Sequence, residues 1–302
     1  MVIRCSIRVA DRSDAGVTRA ALVTISGCRS VIGCTHGYPE ERPRMEVDIA
    51  SFRLDRFAVS NTAFAAFVDA TGHVTTAEKV PDRDLHPNMP DAFFAAGSLV
   101  FVMTPAPVAL DDPGRWWHFV PGANWRHPEG PGSDLDGRWD HPVVHVSLDD
   151  ARAYAAFIGA RLPGEAEWEH AARAGATTRF PWGGELEPGG RPAANVWRGD
   201  FPWRHERCAG PPFTMPVDAF APNAFGLCNM IGNVWEWTDT PFARNHRAAP
   251  DHAELYVTKG GSHLCAASYC QRYRPEARMA QARSATFSHL GFRCAGDVAP
   301  SA

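Results

Sequence analysis

The apolar positions of the chain fall into short runs, and each run points to a different element. Residues 21–33 (ALVTISGCRSVIG) place β-branched residues around a glycine, as in a β-hairpin. Residues 47–59 alternate in the manner of a further strand. Ser60 or Asn61 then caps a helix whose apolar positions include Phe64, Phe67 and Val68, and Gly72 can end it. Residues 75–140 are irregular and rich in Pro, Gly and Trp. A structureless loop of that length is unusual, so a packed set of loops shaping a surface groove is expected. Residues 141–146 read as a short strand. Ser147 next caps a helix with Asp149 and Asp150 in its first turn, at the positive end of the dipole, and Ala151, Tyr154, Ala155 and Ile158 mark one face. A second helix is expected over about 165–174. Gly164 is its N-cap and Glu167 its third position, half a capping box, and Gly175 closes it. Residues 180–302 read as loops with short strands.

Composition narrows this picture. The chain has 302 residues, enough to bury a large core without a staple. With no linker, charge block or repeat, one domain over 21–298 is expected behind a disordered leader, 1–20. The 26 Gly, 25 Pro and 10 Trp suit short elements anchored by aromatic side chains. A net charge of −4 argues against a nucleic-acid partner. No run of about 18 apolar residues occurs, so no membrane partner is expected. The first residues lack the apolar centre of a secretory signal, which predicts a cytoplasmic protein with reduced thiols. Its cysteines stand at 5, 28, 34, 208, 228, 265, 270 and 294.

Cys265 and Cys270 are the pair of interest. On a straight strand they would lie about 17 Å apart on opposite faces, so sharing a metal or a disulfide requires a bend, which Ala266, Ala267 and Ser268 permit. Soft thiolates select Cu(I) or Zn(II). A structural zinc usually takes four protein ligands, and no further Cys or His forms a matching pair nearby, so two thiolates alone suit linear Cu(I). From spacing alone a disulfide or two unrelated buried thiols remain open.

Four segments carry a resemblance: RLPGEAEWEHAARAG (161–175), FPWG (180–183), PNAFGLCNMIGNVWEW (222–237) and GFRCA (291–295). With ISGCRSVIG and FAVSNTAFAAFVDATGH they make residues 21–298 resemble the formylglycine-generating enzyme, or sulfatase-modifying factor, family in its bacterial type. The implied fold class is α+β, an irregular C-type-lectin-like sulfatase-modifying-factor fold with little regular secondary structure. Similar signatures occur in sulfoxide synthases and in non-catalytic binding modules, and fold alone does not fix function. The discriminating segment is KGGSHLCAASYCQRYRPEAR (259–278), which resembles the active-site segment of the formylglycine-generating enzyme itself.

That resemblance implies a copper-dependent oxidase. Cys265 and Cys270 would bind Cu(I), with Ser262 as the active-site serine. A cysteine in a Cys-X-Pro-X-Arg peptide of an unfolded or nascent sulfatase would become Cα-formylglycine, using O2 and a thiol reductant. The family also binds calcium through oxygens, which are hard ligands. Here the implied ligands are the Asn229 and Glu236 side chains with the Gly232 and Val234 carbonyls, and, at a second place, Asn195 and the Val196 carbonyl. The second place lacks its carboxylate, because Ala209 occupies that position and Pro211 the second carbonyl, so it is expected weak or empty. Ala172 stands where some members carry the partner of Cys294, so that disulfide is not expected. Trp125 and Arg126 are candidates to wall a peptide groove, as are Trp116 and Trp117. His289 is a candidate to face the substrate. His141 and His145 would share a strand face and read as packing residues. Cys28, Cys34, Cys208 and Cys228 read as incidental. The alternatives are a same-fold paralogue acting on another peptide or thiol, an iron-dependent sulfoxide synthase relative, and a non-catalytic binding module.

Overall fold

The computed structural model describes residues 22–84, 90–206, 214–250 and 252–298. The expected leader and the segment holding Cys208, Ala209 and Pro211 lie outside them. Two pairs of strands at the start form one bent ribbon. β1 (Leu22–Ile25) pairs antiparallel with β4 (Phe52–Asp55), and β2 (Cys28–Ile32) with β3 (Met45–Ile49). The register runs from Leu22 opposite Asp55 to Ile32 opposite Met45 without a slip. The expected hairpin within 21–33 is therefore corrected. That segment is one arm of the ribbon, and residues 45–55 are the other. The single strand expected over 47–59 is likewise broken in two. The bend is held where the Gly27 N–H donates to Ser51 Oγ at 2.9 Å. A Cβ on Gly27 would lie 2.7 Å from the Ile49 carbonyl oxygen, so only glycine lets the arms approach there.

Three helices follow the expected pattern. α1 (Asn61–Thr71) is capped by Ser60, whose side chain accepts from the Ala63 N–H, and ends on left-handed Gly72. The first strands of the following loops, β5 (Gly97–Phe101) and β6 (Trp117–Pro121), pair with each other. α2 (Leu148–Phe157) is capped by Ser147, and Asp150 returns the bond to the Ser147 backbone. α3 (Glu165–Arg173) begins at Gly164, whose N–H donates to Glu167 at 2.7 Å, the half box expected. Its αL terminal residue is Ala174, one position before the expected Gly175.

Residues 141–146 do not form the expected strand. They make a single bridge, Ser60 to Pro142, and His145 sits at φ 60°, which breaks an extended run. His141 and His145 therefore share no strand face. His141 Nδ1 meets Thr214 Oγ1, while His145 is enclosed between Ser98 Oγ and the Pro128 carbonyl.

The second half supplies a four-stranded sheet in the order β10–β7–β8–β9, from β7 (Trp235–Pro241), β8 (Leu255–Lys259), β9 (Arg278–Ala282) and β10 (Leu290–Gly291). β11 (Ala295–Asp297) returns to pair with β4, tying the chain's end to its beginning. Phe64, Trp125, Tyr154, Trp237 and Phe292 form the main core between α1, α2 and this sheet.

Candidate functional site

The loop between β8 and β9 builds the site. Gly260 and Gly261 open it at φ 94° and 72°. A Cβ on Gly261 would lie 2.7 Å from the Arg272 carbonyl oxygen, so the loop closes on itself through glycine. Ser262 follows, fully buried, and its carbonyl accepts from the Cys265 N–H at 2.9 Å. A single turn then runs through the small residues, with the Cys270 N–H donating to the Ala266 carbonyl at 2.9 Å. This is the bend that the pair required. It brings Cys265 Sγ to 3.3 Å from Cys270 Sγ, well beyond the roughly 2.05 Å of a disulfide.

The two thiols are unequal. Burial pushes Cys265 well up, and the neighbouring sulfur adds to this. Cys270 is pulled down because it accepts from Cys265, with the Arg272 backbone and guanidinium assisting. Cys270 is thus the more readily ionised of the two. Arg272 is fixed from a distant part of the sequence. Its guanidinium bonds Glu40 at 2.6 Å and lies 3.8 Å over the Tyr38 ring, while Arg274 bonds Glu41. The loop joining β2 to β3 therefore straps the cysteine segment. Arg272 and Arg274 lie in the segment 259–278 that carries the resemblance, but their partners at 38–41 carry no signal that links them to it.

Ser262 Oγ lies 3.2 Å from His289 Nδ1. Burial, with His263 and His145 nearby, holds His289 well below its ordinary pKa, so the ring is neutral. Trp117 packs on His289 at 4.7 Å, and Trp116 meets Tyr269 at 5.2 Å. Tyr269 stacks on Phe201 at 4.9 Å. This aromatic wall adjoins the cysteines, and Phe201 and Tyr269 in it were not anticipated. Trp125 does not belong to it. It is fully buried against Phe64 at 5.2 Å, so its expected role in a groove is corrected to one in the core. Arg126 lies over the Trp125 ring and pairs with Asp69 of α1.

Among the described residues no group of three or more His, Cys, Asp or Glu could hold a metal. Two sulfurs facing each other in a mostly apolar setting are the donor set present, and they fit a soft, low-coordinate ion such as Cu(I). The Asn229 loop fits calcium only in part. Asn229 Oδ1 is buried without a hydrogen-bond partner, as a ligand oxygen would be. Glu236, by contrast, already accepts from Trp168 Nε1 and from Arg293 Nε and Nη2, each at 2.7 Å, so its charge is balanced by Arg293. At the second place Asn195 donates to Asn233 Oδ1 at 3.1 Å, and Val196 packs into the core.

Known proteins similar to this chain point to one family. The family described as "Sulfatase-modifying factor enzyme 1-like domain" matches residues 9–298. The chain is 46% identical over 291 residues to a formylglycine-generating enzyme of Mycobacterium tuberculosis, covering 91% of this chain and 97% of that one. It is also 46% identical over 274 residues to one of Thermomonospora curvata, covering 86% and 87%. The structure of PvdO from Pseudomonas aeruginosa superposes with a TM-score of 0.63 at 24% identity, covering 95% of this chain and all of that one, a likeness of fold alone. On the match across nearly its whole length, the chain belongs to the sulfatase-modifying factor family.

Proposed function

We propose that the protein converts a cysteine of a client sulfatase peptide, in the pattern Cys-X-Pro-X-Arg, to Cα-formylglycine. The observation that carries this reading is the sulfur pair at 3.3 Å, brought together by the bend of the β8–β9 loop. The similarity to formylglycine-generating enzymes supports it. Cys265 and Cys270 would hold Cu(I), which, when bound, would supply the redox chemistry. The balance is one cysteine, one O2, two electrons and two protons in, with one aldehyde, one hydrogen sulfide and one water out. A thiol reductant provides the electrons.

The chain's own residues divide the remaining work. Arg272 steadies Cys270 as the anionic partner. Ser262, oriented by neutral His289, offers a hydroxyl to substrate or to oxygen-derived groups. Trp117 and Tyr269 offer an apolar surface to the peptide, while Trp116, expected in that wall, is fully buried behind it and serves the core. A calcium ion on Asn229 Oδ1 with the Gly232 and Val234 carbonyls is a structural addition, to which Glu236 has little left to give.

The test is conversion of a Cys-X-Pro-X-Arg peptide by copper-loaded protein with oxygen and a thiol, read by mass spectrometry and aldehyde capture. Aldehyde from that peptide, and none from its Cys→Ser form, supports the reading. No aldehyde from fully loaded enzyme refutes it.

A further inference from the structure

A groove of about 1060 Å3 lies beside the cysteine centre, with Gln271, the neighbour of Cys270, on its wall. The same wall carries Cys28, Ser30 and His170. Cys28 opens β2 and is exposed, and its Sγ lies against the His170 ring, 3.6 Å from Nε2 and 3.9 Å from Nδ1. The other ring nitrogen, Nδ1, lies 2.9 Å from Ser30 Oγ. With Nδ1–H donated to Ser30, Nε2 is the unprotonated nitrogen, and the exposed thiol reaches it by a rotation about its own side chain. α3 presents this histidine, and Phe225 packs against its ring at 5.5 Å. Burial lowers its pKa, so at neutral pH the ring is a proton acceptor. Nucleophile, base and orienting hydroxyl thus stand within reach of one another.

The groove is also charged. Arg44 and Arg179 line it, and neither forms an ion pair with a carboxylate among the described residues. Its one lining carboxylate, Glu276, is already held by Arg173 and Arg274. Positive charge is therefore left over. Cys34, in the same groove, is a poorer nucleophile, since burial and the nearby Glu41 and Glu276 push its thiol up.

We propose that Cys28, with His170 as base and Ser30 as orienting group, is a thiol–disulfide exchange site for an anionic low-molecular-weight disulfide bound in this groove. His170 Nε2 takes the Cys28 proton, and the thiolate sulfur bonds one sulfur of the incoming disulfide. The disulfide bond breaks, and the departing thiolate takes the proton back from His170. Cys28 ends as a mixed disulfide, and the incoming molecule is reduced to one thiol. Excess thiol reverses the step. Nothing in this proposal depends on copper or on peptide oxidation.

The test uses the full chain, metal-free, with glutathione disulfide at neutral pH, and follows mixed disulfides site by site by peptide mass spectrometry. Cys28 is expected to react about tenfold faster than Cys34 and about tenfold faster than Cys28 in His170→Asn, a general-base effect at the low end of the usual range. Ser30→Ala, which removes one hydroxyl, is expected to slow Cys28 as well. At low salt the dicationic disulfide cystamine is expected to react more slowly than glutathione disulfide. Equal Cys28 rates in wild type and in both folded variants overturn the proposal, as does faster reaction with cystamine.

Discussion

His145 shows what burial does to a single side chain. It is fully enclosed, hydrogen-bonded through both ring nitrogens, and held at a pKa of about 4. His263, bonded to the Asn233 carbonyl, is held at about 4 as well, and His289 lies well below its ordinary value. A histidine depressed in the native state binds its proton more readily when unfolded. Stability therefore rises with pH through this window, and it falls as pH drops from about 6.5 towards 4. Each such group contributes up to about 1.4 kcal/mol per pH unit. Thermal melts should show this slope, and His145→Asn, which tolerates the left-handed backbone, should flatten it. At the site itself, His289→Ala leaves the Ser262 hydroxyl without its ring partner. Peptide turnover should fall in kcat/KM by about tenfold, with His289→Asn closer to wild type. The sequence marked His289, Ser262 and the two cysteines because their flanks carry motifs. It misplaced Trp125 because the irregular stretch around it has no periodicity to say which side chains face inward.

Among elements, the helices were the most legible, because capping residues announce themselves locally. Ser147 caps α2 and also bonds Thr76 Oγ1 at 2.7 Å. Ser147→Ala should cost about 1–2 kcal/mol, measurable by urea unfolding. The bent ribbon was legible only in part. Alternation is present on both sides of Ala50 and Ser51, but the glycine that permits the bend, Gly27, lies on the opposite arm. The bend between the cysteines was legible as a necessity, since Ala266 to Ser268 are small, though not in its form, a turn closed from Cys270 to Ala266. Gly261 carries that loop. Gly261→Ala meets both a positive φ and the Arg272 carbonyl, so it should lower Cu(I) affinity at least about tenfold while the far helices keep their hydrogen-exchange protection.

Across the whole molecule, one buried arginine joins the parts. Arg293 bonds the Glu236 carboxylate of β7, the Asp55 and Arg56 carbonyls beside β4, and the Cys228 carbonyl, with no solvent exposure. Lysine cannot reproduce that fork. Arg293→Met should lose about 3–5 kcal/mol, seen as a large fall in the urea midpoint, because it strands a buried carboxylate. No helix among the described residues is long and apolar enough to cross a membrane. The same scaffold that Arg293 secures holds the β8–β9 loop and its strap from residues 38–41, and so fixes the sulfur pair. We propose that this pair is a two-sulfur copper centre. Copper K-edge X-ray absorption on protein loaded with one equivalent of Cu(I) tests it directly. Two sulfur neighbours and no nitrogen shell are expected, with that signature lost in Cys265→Ser and in Cys270→Ser. A nitrogen-rich shell, or an unchanged spectrum in either variant, would contradict it.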